Sequence, residues 1–108
     1  MEWYHKLYVG DSLVDKADEI KWKINHNAGT VMVYVIALAS NRQNLLDIIP
    51  SWELMKKSYP KKELKIVGLA RGYREALEVT RRIVDDTYRN SGDVNVRAFL
   101  KEKGRRDI

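Results

Sequence analysis

The sequence predicts an α/β domain with a small three-stranded, mainly parallel sheet and helices packed on it. The expected order is strand, helix, strand, two short helices, strand, long helix, terminal helix. Three observations predict it. Val31 to Ala39 is nine residues without a charge, running into Ser40-Asn41; a continuous apolar run closed by turn residues reads as a strand covered on both faces. Gly72 to about Asn90 carries the strongest helical period of the chain. Strand-like and helix-like stretches alternate, which implies parallel strands joined by right-handed crossovers.

Trp3 to Val9 is the first expected strand, with Trp3, His5, Leu7 and Val9 on one face and Tyr4, Lys6 and Tyr8 on the other. A helix from about Ser12 to His26 follows, because Leu13, Ala17, Ile20 and Ile24 make one apolar stripe. Asp11 or Ser12 can cap it, and Asn27-Ala28-Gly29 stops it. After the central strand, Leu45, Leu46, Ile48 and Ile49 suit one or two helical turns ended by Pro50. Ser51 can cap a second turn holding Trp52, Leu54 and Met55. Glu63 to Ala70 is the third strand. In the long helix Tyr73, Ala76, Leu77, Thr80, Ile83, Val84, Thr87 and Tyr88 form the apolar stripe. Oppositely charged residues four apart, Arg74 with Glu78 through Asp85 with Arg89, line its other face. Val96, Phe99 and Leu100 edge a short last helix. Residues 1–100 thus form one domain, and 101–108 a basic tail expected to fray.

Composition narrows the function classes. The chain has 108 residues, no cysteine and a net charge of +5, which excludes disulfides and thiolate metal sites. Its two histidines, His5 and His26, are too few for a histidine metal centre. The first residues lack a signal-peptide pattern, and the longest apolar run is far short of a membrane span. A cytoplasmic protein without a cofactor or metal is expected. The large aromatics Trp3, Tyr4, Tyr8, Trp22 and Trp52, with two sheet edges to cover, point to a homodimer.

In a parallel α/β sheet, ligands bind beyond the carboxyl ends of the strands. Those ends are Gly10-Asp11-Ser12, Ser40-Asn41-Arg42 and Arg71-Gly72-Tyr73. Each leads into a helical segment, so free amides gather with the arginine charges and form a cradle for a phosphate or carboxylate. The plainer alternative is that these residues only cap helices and turn the chain.

Val9-Gly10-Asp11-Ser12-Leu13 resembles the Gly-Asp-Ser-Leu block of the GDSL esterases, which place a nucleophilic serine after the first strand. The rest of that pattern, a Gly-x-Asn-Asp and a late Asp-x-x-His, is missing. Without a base and an oxyanion hole Ser12 is not activated, and it reads as a cap. Lys56, Lys57, Lys61 and Lys62 around Tyr59 make a small basic segment with an aromatic, the minimum for a nucleic-acid surface. Glu53 and Glu63 dilute it, so the sequence argues against nucleic acid as the main partner. There is no phosphate-binding glycine motif.

Over most of its length the chain resembles a family of small uncharacterised bacterial α/β proteins. Tyr34-Val-Ile-Ala-Leu-Ala-Ser40, Asn44-Leu-Leu-Asp-Ile-Ile-Pro50 and Ile66-Val-Gly-Leu-Ala70 carry the resemblance, and it implies a fold but no activity. The leading expectation is therefore a non-catalytic binding or interaction module with a small-anion site at the strand ends. An enzyme acting there through Asp11, Ser12 or Asn41 is second, and weak nucleic-acid binding through the lysines is third.

Overall fold

The structure is a computed structural model that describes residues 1–39 and 45–105. Four strands, β1 (Glu2–Val9), β2 (Val33–Leu38), β3 (Leu46–Pro50) and β4 (Lys65–Arg71), form one sheet in the order β1-β4-β2-β3. β1 pairs with β4 in parallel, whereas β2 runs antiparallel to both β4 and β3. The α/β class holds. The expected three-stranded, mainly parallel sheet does not, because the sheet is four-stranded and mixed. Seven positions separate Leu38 from Leu46, too few for a parallel crossover, which takes a dozen or more.

The additional strand is β3, where the sequence predicts helical turns. Leu46 and Ile48 face one side of the sheet and Ile49 the other, which is strand alternation. Pro50 sits at the end of an outer strand, where its missing N–H interrupts no central ladder. Ser51–Met55 forms a 3₁₀ turn rather than an α-helix. Its first residue supplies no cap, because the Ser51 hydroxyl lies 2.6 Å from Thr30 Oγ1.

β2 is covered on both faces. Val33, Val35 and Ala37 join one core cluster; Ile36 joins the other, with Tyr34 and Leu38 packed against it. The first cluster lies beneath α1 (Ala17–Asn25) and the two 3₁₀ turns, Asp11–Leu13 and Ser51–Met55. The second lies beneath α2 (Tyr73–Ser91) and α3 (Val96–Arg105).

Three helical expectations change. The first helix is split: the 3₁₀ turn ends at Leu13 and α1 begins at Ala17, though Leu13, Ile20 and Ile24 are all buried as the stripe predicts. Neither segment has a side-chain cap, so Ser12 and Asp11 do not cap. Asn27 takes a left-handed φ of 54° and ends α1, a conformation asparagine tolerates. In α2 the buried line is Ala76, Val79, Ile83 and Thr87, so Tyr73, Leu77 and Tyr88 fall to one side and stay exposed. Val79 is drawn in because Gly68 leaves room for it: a Cβ there would lie 3.1 Å from Val79 Cγ1. α3 continues through Arg105, so Lys101 to Arg105 are helical where fraying is expected.

β1 also departs from strict alternation. Its register against β4 shifts between Trp3 and Tyr8. Trp3, Leu7 and Val9 pack on the α1 side, but the His5 ring lies against Gly104 of α3, as a bulge that turns one side chain over allows.

Candidate functional site

Two parallel neighbours end side by side. The Gly10 amide, just past β1, donates to Leu69 O of β4 at 2.8 Å. The expected ends Gly10-Asp11-Ser12 and Arg71-Gly72-Tyr73 are therefore brought together. The third is not. Because β2 is reversed, Arg71 pairs with Val33, at the start of β2. Ala39, after the other end of β2, is at the opposite end of the sheet. Ser40, Asn41 and Arg42 lie outside the described residues.

The donors at the shared end hold a carboxylate from the chain itself. The Ser12 hydroxyl donates to Glu75 Oε1 at 2.7 Å, the Arg71 amide to the same oxygen at 2.9 Å, and the Ser12 amide to Oε2 at 3.3 Å. Burial alone would raise the Glu75 pKa, but the Arg71 amide, both Ser12 donors and the Arg71 charge outweigh it and hold the carboxyl below its usual 4.5. Gly10 is required for this contact, since a Cβ there would fall 2.1 Å from Glu75 Oε1. The Gly72 amide, also expected to face a ligand, donates to Met32 O at 2.7 Å. Gly72 has φ 79°, where a side chain is strained. The Tyr73 ring meets Tyr34 edge-on at 5.8 Å. Arg71 Nε is buried without a partner among the described residues, and Asp11 is exposed. Glu75 was legible as a helix-start residue, a glutamate in the first turn after Gly72. Its reach to Ser12, 63 positions away, carries no local signal.

For acyl transfer Ser12 would need an effective base, and its partner Glu75 is a carboxylate whose lowered pKa makes it a weak proton acceptor. The histidines lie elsewhere: His5 against Gly104, and His26 stacked on Trp22 with Nδ1 2.7 Å from Trp22 O.

A second polar cluster secures α3. The Tyr8 hydroxyl donates to Asp86 Oδ2 at 2.6 Å and accepts from Lys103 Nζ at 2.9 Å. Lys103 also sits 4.5 Å above the Tyr8 ring, a cation–π contact. Burial first, then the bond and charge of Asp86, push the Tyr8 phenol well above its ordinary range. Tyr4 adds a bond from its hydroxyl to Leu100 O at 3.0 Å.

The basic segment is dispersed. Lys56 pairs with Glu53 at 3.2 Å and lies 4.7 Å over the Trp52 ring. Lys61 donates to Asn27 Oδ1, and Tyr59 packs against the α1-side core, its phenol raised first by burial. Lys57 is exposed. Lys62 lines an open groove of about 780 Å³ at the sheet end where β2 finishes. Lys65 and Arg97 share that groove with Glu2, Asp47 and Glu63, so its charge is balanced and selects no ligand sign.

The two flanks of α2 differ sharply. Toward β1 and α3, Glu75 meets Ser12, Arg82 donates to Val9 O at 3.3 Å, and Asp86 meets Tyr8. Toward β2 and β3, Tyr73, Leu77, Val84 and Tyr88 fall within about 60° of arc at 100° per residue. Tyr73 is 55 % exposed, Leu77 48 % and Tyr88 61 %. Half-buried Tyr34, Leu46 and Ile48 lie on the same face of the sheet.

Among the described residues there is no metal-ligand cluster, and no helix is long and apolar enough to cross a membrane. Comparison with family models, with curated proteins and with solved structures finds no match.

Proposed function

We propose that this chain is a cytoplasmic, non-catalytic interaction module whose binding surface is the apolar flank of α2 with the adjoining face of β3. One observation carries it. The flank of α2 toward β1 is occupied by polar contacts, while the opposite flank presents Tyr73, Leu77 and Tyr88 to water, with half-buried Val84 between the last two. Scattered exposed apolar residues are ordinary on any protein surface. A line of them on one helix flank, beside partly covered strand residues, has the form of a docking strip. The small-anion site expected at the strand ends is subordinate in this account, since an incoming anion must first displace Glu75 from Ser12 and Arg71.

Hydroxyl-radical footprinting tests it. Tyr73 and Tyr88 should be protected in a lysate of the cells that make the protein and reactive in dilute purified protein. Equal reactivity in both would refute the proposal.

A further inference from the structure

We infer that the sheet end carrying Val31, Met32, Trp52 and Tyr73 seats this protein on an anionic lipid surface. The inference goes beyond the docking strip and stands apart from it, since Tyr73 alone is common to both.

The local structure builds an apolar tip at that end. Thr30 Oγ1 lies 2.6 Å from Ser51 Oγ, and the Gly72 amide donates to Met32 O at 2.7 Å. The segment entering β2 is thus tied to the turn after β3 on one side and to the turn after β4 on the other. Val31 and Met32 lie between those ties, with Trp52 next to Ser51 and Tyr73 next to Gly72. Tyr34 pairs with Pro50 and Val33 with Arg71, which brings all three segments to the same end of the sheet. Val31 is 72 % exposed and Met32 67 %, against 58 % for Trp52 and 55 % for Tyr73. The aliphatic pair is therefore barer than the rings on either side. Met32 is held there at a φ of 57°, a left-handed backbone that a side chain bears at a cost, and burial does not offset it. Strain of this kind concentrates where function needs the conformation.

The charges around the tip select its occupant. Lys56 Nζ lies 4.7 Å over the Trp52 ring, and Arg71 and exposed Arg74 adjoin Tyr73 in the chain. Each ring thus has a cation beside it. The nearby carboxylates are engaged: Glu53 pairs with Lys56 at 3.2 Å, and Glu75 is held by Ser12 and the Arg71 amide. Asp11 is exposed, but it follows β1, and β4 separates it from the tip. Over the whole chain the net charge is +5. An aliphatic tip flanked by tryptophan and tyrosine suits the boundary of a bilayer, where such rings settle at headgroup level. Cations beside them meet anionic headgroups, and no spanning helix is needed. The Met32 carbonyl, already bonded to Gly72, enters without an unpaired acceptor. A nucleic-acid strand would use the rings and cations but leave Val31 and Met32 in water.

Vesicle flotation of the purified full chain tests the inference, comparing phosphatidylcholine alone with equal parts of phosphatidylcholine and phosphatidylserine. Wild type should float with the mixed vesicles and stay behind with phosphatidylcholine, because its cations need an anionic surface. Val31→Asp and Met32→Asp should each lower the partition coefficient at least about tenfold. Their urea midpoints should stay near wild type, since both side chains are exposed. Met32→Gly should bind more weakly yet unfold no earlier, which a purely structural role would not produce. Val94→Asp, at an exposed position beyond the C-terminal end of α2, should float like wild type. A wild type that binds neither vesicle or floats equally with both would overturn the inference. So would undiminished flotation of Val31→Asp and Met32→Asp, or an equal loss in Val94→Asp. A protein that ignores vesicles but retains a single-stranded oligonucleotide would overturn it in favour of nucleic acid. Tyr88 lies outside the tip and judges the docking strip separately. Its protection in lysate without vesicle binding would reject the lipid seat alone, and vesicle binding with Tyr88 reactive in lysate would reject the strip alone.

Discussion

The Ser12 hydroxyl and Glu75 Oε1 lie 2.7 Å apart and join the end of β1 to the first turn of α2. The serine that the sequence reads as a helix cap is instead a donor to an internal carboxylate. Ser12→Ala should lower stability by about 0.5–1.5 kcal/mol, the usual net worth of one such bond. Urea denaturation measures it, and an unchanged midpoint would mean that water replaces the hydroxyl at no cost.

Gly10→Ala should act through the same carboxylate. Its new methyl would occupy the space of Glu75 Oε1, driving the carboxylate off the Ser12 and Arg71 donors. The expected cost is about 0.5–1.5 kcal/mol, the net worth of a hydrogen bond given up by a carboxylate that can swing into water. In a Glu75→Ala background the same change should cost far less, because the obstacle is gone. Equal costs in both backgrounds would assign the effect to the Gly10 backbone.

The depressed pKa of Glu75 gives a pH signature. The folded state binds this proton more weakly than the unfolded chain, so the contribution is present above the unfolded value near 4.5 and is lost as pH falls through the lower folded value. Stability measured across the acid range should decline below about that pH, and Glu75→Gln should flatten the decline. A variant with the wild-type slope would contradict the assignment.

Tyr8 should behave in the opposite sense. Its raised phenol keeps the folded state protonated, so its contribution is present below the unfolded value of 10.0 and is lost as pH rises through the folded one. Ultraviolet titration should show one tyrosine ionising last, and Tyr8→Phe should remove it. The same variant should lose about 1.5–3 kcal/mol, the range for bonds to charged groups, because Asp86 and Lys103 lose their shared partner.

Met32 holds a left-handed φ of 57° and is 67 % exposed. That backbone costs a side-chain-bearing residue about 1–2 kcal/mol, against about 0.5–1 kcal/mol for the extra freedom glycine has when unfolded. Met32→Gly should therefore raise the urea midpoint slightly. A fall would show that the methionine side chain contributes packing there.

Much of the fold is legible in the residues themselves. Of the uncharged run Val31 to Ala39, Val33–Leu38 is an interior strand while Val31 and Met32 precede it and are exposed, and Leu13, Ile20 and Ile24 form the buried stripe their spacing implies. Strand direction is not legible. Nothing within Val33–Leu38 distinguishes a parallel from an antiparallel neighbour, and the deciding feature was the short distance to a strand mistaken for helical turns. Leu46, Ile48 and Ile49 fit either period over so few positions. In α2 the stripe was found but turned, because Val79 fits above Gly68, a relation between distant parts of the chain. Ser12 and Arg71 lie at one sheet end as expected, yet Glu75, which meets both, is tied to Arg71 by a local step of four and to Ser12 only by tertiary packing.

The position of β4 between β1 and β2 bears on how the chain is made. During synthesis β1 emerges before the other described strands and waits without a neighbour while the hairpin of β2 and β3 is completed, since β4, its strand partner among the described residues, ends at Arg71. The β2 edge that β4 will cover is meanwhile a bare row of amides and carbonyls on Val33–Leu38, the kind of ribbon that adheres to its own kind. A nascent chain halted before Lys65 therefore carries both an orphaned first strand and a sticky hairpin, and such fragments should be the ones that precipitate or recruit chaperones.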